Sequence, residues 1–135
     1  MRRNNNYENG KWGQPLFMLS KSLKIARGFL GKKVKLKFDQ PVGSSYAPHK
    51  IDSYPINYGY VPGTLAPDGE ELDAYLLNVF EPLDEFEGVC IAIIHRLEDD
   101  DDKLIVVPEG IKLADEEIIN QVRFQEHLYK GVIVR

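Results

Sequence analysis

The chain has 135 residues, of which 43% are hydrophobic and 28% charged, with a formal net charge of −4. That length suits one domain around a single core, and the mild acidity without any basic run speaks against a nucleic-acid partner. No apolar stretch reaches the length of a membrane-spanning helix, and the lone cysteine, Cys90, permits no internal disulfide, in keeping with a reducing cytoplasm.

Residues 1–18 are polar, Asn- and Gly-rich at first, and without periodicity, so a disordered extension is expected there, with residues 19–135 as the folded domain. No apolar segment follows Arg2 and Arg3, so no signal peptide is expected. Leu19, Leu23, Ala26 and Leu30 then recur at helical spacing, with Ser20 as N-cap and Gly31 as stop, which predicts a helix over Ser20–Leu30. Its apolar stripe suits packing on the domain or on a second subunit better than a membrane. Lys33 to Phe38 alternates strictly and reads as a half-buried strand, ended by Asp39-Gln40-Pro41. Gly43 to Tyr54 reads as a loop whose local cations are His49 and Lys50. In Tyr54–Thr64, Pro55 and Pro62 forbid a long helix, and Gly59 and Gly63 allow tight bends.

Ala74–Val79 and Phe86–Arg96 read as strands, the second long, apolar and therefore central, with Cys90 as a small buried hydrophobe. Between strands, Glu98 to Asp102 forms a run of five acids, normally a solvated turn. Asp115 opens a second helix as its cap, Glu116 and Glu117 suit the positive end of its dipole, and Lys130-Gly131 closes it. A short last strand follows at Gly131–Arg135.

The densest chemistry lies in YPINYGYVPGTLAPDGEELD, residues 54–73. Asp68, Glu70, Glu71 and Asp73 crowd together beside Asn57-Tyr58-Gly59-Tyr60. Pro67-Asp68-Gly69 is by itself a good solvated turn. Carboxylates this close also suit neutralisation by a cation, and hard oxygen donors without Cys or His favour Mg²⁺, Mn²⁺ or Ca²⁺ over zinc or copper.

This stretch resembles the soluble, Mg²⁺-dependent inorganic pyrophosphatases, which carry an aromatic-Pro-x-Asn-Tyr-Gly-Tyr run and then Asp-x-Asp-x-x-Asp. The resemblance implies an α+β, mainly β fold: a small closed OB-like barrel with flanking helices. It implies hydrolysis of a small phosphate substrate, pyrophosphate, by metal-activated water, with Mg²⁺ as cofactor and Mn²⁺ as its alternative. A cytoplasmic homo-oligomer without nucleic-acid or membrane partners is expected. By the same matching, Asp68, Glu70 and Asp73 are metal ligands. So are Asp101 and Glu98, from the acidic run, and Asp39, at the end of its strand. Glu70 stands where the family has the general base; it is one methylene longer than the family's aspartate, which predicts weaker activity. Tyr58 and Lys103 match groups acting on phosphate in catalysis. Tyr129, Lys130 and Lys50 complete the substrate contacts. The family's phosphate-gripping hairpin has no room between Pro41 and Tyr54. Two further readings therefore stand beside the first: a hydrolase of another phosphoanhydride or phosphate ester, and a non-catalytic metal- or phosphate-binding relative.

Overall fold

The computed structural model describes residues 20–135 and, as backbone alone, the short antiparallel pair β1 (Asn9–Lys11) and β2 (Gln14–Pro15). Apart from that pair, the expectation for residues 1–18 lies outside the described residues. Helix α1 spans Lys21–Arg27, and the Ser20 hydroxyl accepts a 2.9 Å hydrogen bond from the Leu23 N–H, as a helix cap does. It ends at Arg27 rather than Leu30. The chain then turns, and Gly31 adopts φ 79°, the left-handed region glycine enters without strain.

Strands β3 (Lys33–Gln40), β4 (Asn57–Val61), β5 (Leu72–Leu76), β6 (Glu85–Arg96) and β7 (Asp102–Val107) close into a five-stranded barrel in the order β3-β4-β5-β7-β6, with β6 returning to β3. All pairs are antiparallel except β5–β7. The twelve residues of β6 make closure possible: Glu85–Val89 pairs with β3, and Ile93–Arg96 carries β8 (Gly131–Val134) on the same edge.

The two-residue alternation sorts each strand. Leu72, Ala74, Leu76, Leu104 and Val106 fill the barrel interior with Val34, Leu36, Val61 and Ile93, and Leu23 and Ala26 of α1 join that cluster. The residues between them, Tyr75, Leu77, Ile105 and Val107, face outward under Ile118 and Val122 of helix α2 (Asp115–Glu126). Burial on both faces explains why β5 and β7 read as continuous apolar runs. Cys90 is fully buried, as expected, and burial pushes its thiol up to about 11.

Several boundaries move. Asn57–Val61 is a strand between the two prolines, not a series of bends. Gly59 is what its crossing over β3 demands, since a Cβ there would sit 1.9 Å from the Lys37 carbonyl oxygen. β5 begins at Leu72, and Asn78 turns at φ 65°, so the Ala74–Val79 reading is displaced toward the acids. The acidic run is not wholly solvated: Asp102 lies inside β7, 1% exposed, its carboxylate 2.6 Å from Nδ1 of buried His95. Asp115 is the first helical residue and not the cap. The preceding Ala114 N–H donates instead to the Glu117 carboxylate at 2.9 Å. α2 stops at Glu126, which leaves Tyr129 beyond the helix.

Candidate functional site

The parallel pairing of β5 with β7 sets Asp73 opposite Lys103. Both side chains leave the barrel on its outer side. Lys103 Nζ donates to Asp73 Oδ2 at 2.6 Å and to Asp101 Oδ2 at 3.0 Å. The ammonium is almost wholly buried, whereas the two carboxylates keep about a third of their surface, 34% and 32%. Tyr58 of β4 places its ring 5.9 Å from Nζ, packed between Tyr54 and Tyr75. Burial raises the Tyr58 hydroxyl well above the usual phenol range, and Asp73 adds to this. It therefore remains a hydrogen-bond donor at neutral pH.

Asp39, near the end of β3, faces the same pocket. Loss of water raises its pKa, and the charges of Asp73 and Glu71 push further in that direction against two backbone hydrogen bonds. Arg96, the last residue of β6, is 5% exposed. Its guanidinium donates to Glu126 at 2.7 and 3.0 Å and to Asp101 at 3.3 Å, and lies 3.6 Å from the Tyr129 ring centre. Burial opposes its charge, but the Glu126 pair more than offsets that. Together with Tyr54, His49 and Gln125, these groups enclose a pocket of about 320 Å³.

A shallower cleft adjoins it through Asp101, Arg96 and Tyr129, and its far side is Pro67, Asp68, Asp99 and Asp100. The Asp68 and Asp101 regions thus meet across one cleft. A larger groove, about 450 Å³, runs between α2 and β8. It is mostly apolar and holds none of Asp39, Asp73 and Asp101, so the smaller pocket is the candidate site.

Of the residues singled out in the sequence, Asp39, Tyr58, Asp73, Asp101, Lys103 and Tyr129 converge on the pocket, with Asp68 on the adjoining rim. Glu70, Glu98, Lys50 and Lys130 are exposed and line neither cavity. The Glu70 N–H donates to Asp68 Oδ1 at 2.9 Å within the 66–70 turn, and the Lys130 carbonyl accepts from the Leu97 N–H at 2.9 Å. Arg96, Tyr54, Gln125 and Glu126 were not foreseen. The one local signal was a charge on the outward register of an apolar strand, Ile94 then Arg96. Among the described residues no three His, Cys, Asp or Glu side chains are already gathered as a metal cluster. The donor set of aspartates from β3, β5 and the loop before β7 nonetheless has the hard-oxygen chemistry of a Mg²⁺ or Mn²⁺ site.

The inorganic pyrophosphatase family model matches residues 29–133. The chain belongs to the inorganic pyrophosphatase family. It is 38% identical over 111 residues to an inorganic pyrophosphatase of Methanosarcina acetivorans, covering 76% of this chain and 58% of that relative. It is 34% identical over 97 residues to one of Neisseria meningitidis, covering 61% and 54%. The chain thus spans little more than half the length of these relatives. Crystal structures of the pyrophosphatases of Ehrlichia chaffeensis and Thermus thermophilus share its fold. Their TM-scores are 0.55 and 0.53 at 16% and 20% identity, covering 76% and 74% of this chain and 85% and 80% of theirs. The barrel expected for this family is the one observed.

Proposed function

We propose that this pyrophosphatase-family chain hydrolyses inorganic pyrophosphate. The observation that carries the reading is the convergence of Asp39, Asp73, Asp101, Lys103, Tyr58 and Tyr129, from separate elements, on one small pocket. Asp39, Asp73 and Asp101, with Asp68 from the rim, would hold Mg²⁺, or Mn²⁺ in its place. When bound, such an ion neutralises phosphate oxygens and lowers the pKa of water. Lys103 supplies a positive charge at the pocket wall, its ammonium held there by Asp73 and Asp101. Tyr58 and Tyr129 offer phenolic donors. Glu70, given the base role by the resemblance, is exposed on the 66–70 turn and lines neither cavity, so this reading assigns it no base role. Self-association and residence in the cytoplasm belong to the same reading.

A second reading, hydrolysis of another small phosphoanhydride or phosphate ester, is favoured by the short segment before β4. From it only Tyr46, His49 and Tyr54 reach the pocket, and none carries a fixed positive charge. Phosphate release from pyrophosphate with Mg²⁺ tests the first reading. Asp73→Asn is expected to lose at least about 100-fold in rate, the scale of a displaced catalytic group. Equal release by both proteins refutes it; turnover of other phosphate compounds alone selects the second.

A further inference from the structure

A chain of hydrogen bonds behind the pocket fixes the direction of each donor in it. Glu126 accepts only, so the Tyr75 hydroxyl, 2.5 Å from Glu126 Oε2, must donate to it. The Tyr75 oxygen then accepts from Gln125 Nε2 at 2.7 Å. That orients the Gln125 amide and turns its Oε1 toward Tyr54, whose hydroxyl donates at 2.7 Å, and toward His49 Nδ1 at 3.4 Å. Nδ1 therefore carries the hydrogen of a neutral His49. Its Nε2 is then an acceptor, and the Tyr129 hydroxyl, 3.0 Å away, donates to it.

A second proton on His49 reverses that last bond. Nε2–H becomes a donor, the Tyr129 oxygen accepts, and the phenolic hydrogen is free to turn into the pocket. The Tyr129 ring does not need to move, because the Arg96 guanidinium stacks on it at 3.6 Å and the His49 ring meets it edge-on at 5.9 Å. Imidazole changes charge between about pH 5 and 8. The titratable groups around His49 are Tyr46 on its own loop, packed edge-on at 5.0 Å, with Tyr54 and Tyr129. Asp39, Asp73 and Asp101 share the pocket with Arg96 and Lys103, and Glu126 is already paired with Arg96.

We propose that His49 is a positioning residue that sets which way the Tyr129 hydroxyl points, so that protonating it turns Tyr129 into a donor to a phosphate oxygen. The proposal rests on the phosphate site of the preceding reading.

Calorimetric binding of inorganic phosphate to the full chain with Mg²⁺, between about pH 5.5 and 8.5, tests it. Phosphate itself titrates in this range, so the quantity read is the ratio of Kd for Tyr129→Phe to Kd for the wild type at each pH. That ratio is expected to be about tenfold at the acid end, the worth of one hydrogen bond to a charged group, and to fall toward unity at the alkaline end. In a His49→Ala background it should not vary with pH. His49→Phe, which keeps a ring and removes both nitrogens, serves if His49→Ala does not fold. A ratio that stays constant across pH in the wild-type background overturns the inference. Pyrophosphate turnover with such a constant ratio leaves the hydrolase reading standing, whereas the expected ratio without turnover does the reverse. Absence of phosphate binding at every pH overturns the inference, and the hydrolase reading falls with it only if pyrophosphate is not turned over either.

Discussion

Replacing Lys103 with methionine removes a buried charge while nearly keeping its volume. Nζ lies 2.6 Å from Asp73 and 3.0 Å from Asp101. At an effective dielectric near 20, each contact represents roughly 6 kcal/mol of attraction. Most of this is cancelled by the cost of taking the ammonium out of water. Removing one member of a fully buried ion pair costs about 3–5 kcal/mol, because the partner is stranded. Here the stranded carboxylates are 34% and 32% exposed and keep part of their hydration. The expected loss for Lys103→Met is therefore about 2–3 kcal/mol, read as a urea midpoint lower by roughly 1–1.5 M at pH 7 in chelator. The two aspartates are also released for a cation. Added Mg²⁺ should then recover more stability in Lys103→Met than in the wild type, by linkage of binding to folding. A variant as stable as wild type, with no greater gain from Mg²⁺, would show that Lys103 does not hold these carboxylates together.

Two other outcomes follow from the geometry. Asp39 has a raised pKa in the folded state, so folding favours its protonated form; its contribution is present at acid pH and becomes a cost once pH passes that raised value. Asp39→Asn should melt higher at pH 7 in chelator, with a gain that fades as pH falls toward 3.8, the ordinary carboxylate value; a gain that grows toward acid would contradict the sign. Gly59→Ala should lose more than about 3 kcal/mol or fail to yield soluble protein, since its Cβ would meet the Lys37 carbonyl at 1.9 Å; near-wild-type thermal stability would mean that β3 and β4 separate easily.

How much of this was legible in the sequence depends on distance along the chain. Strand faces followed from alternation, whereas Asp73, Asp101, Lys103 and Tyr58 were grouped by the resemblance of their motifs to a family, not by spacing alone. β4 escaped because two prolines flank it and its glycine looked like a bend, when that glycine answers a close approach by a distant strand. The network behind the pocket escaped for a similar reason. Arg96 meets Glu126 30 positions away, and His49 meets Tyr129 80 positions away. No local pattern links the members of either pair, because Glu126 at the end of α2 and Tyr129 just beyond it are brought to their partners by the tertiary fold. Glu70 illustrates the opposite case. It belongs to a compelling local pattern, yet the 66–70 turn, bonded to itself through Asp68, carries it outside the pocket wall.

The parallel β5–β7 ladder has a further consequence. Because Asp73 and Lys103 are backbone partners in that ladder, slipping either strand by one residue would send one of the two side chains into the apolar interior and break the pair. Assembling the pocket and choosing the correct strand alignment are thus a single event. Length can change in the surface segments, as in the brief stretch before β4, without disturbing the alignment that keeps these two charges together.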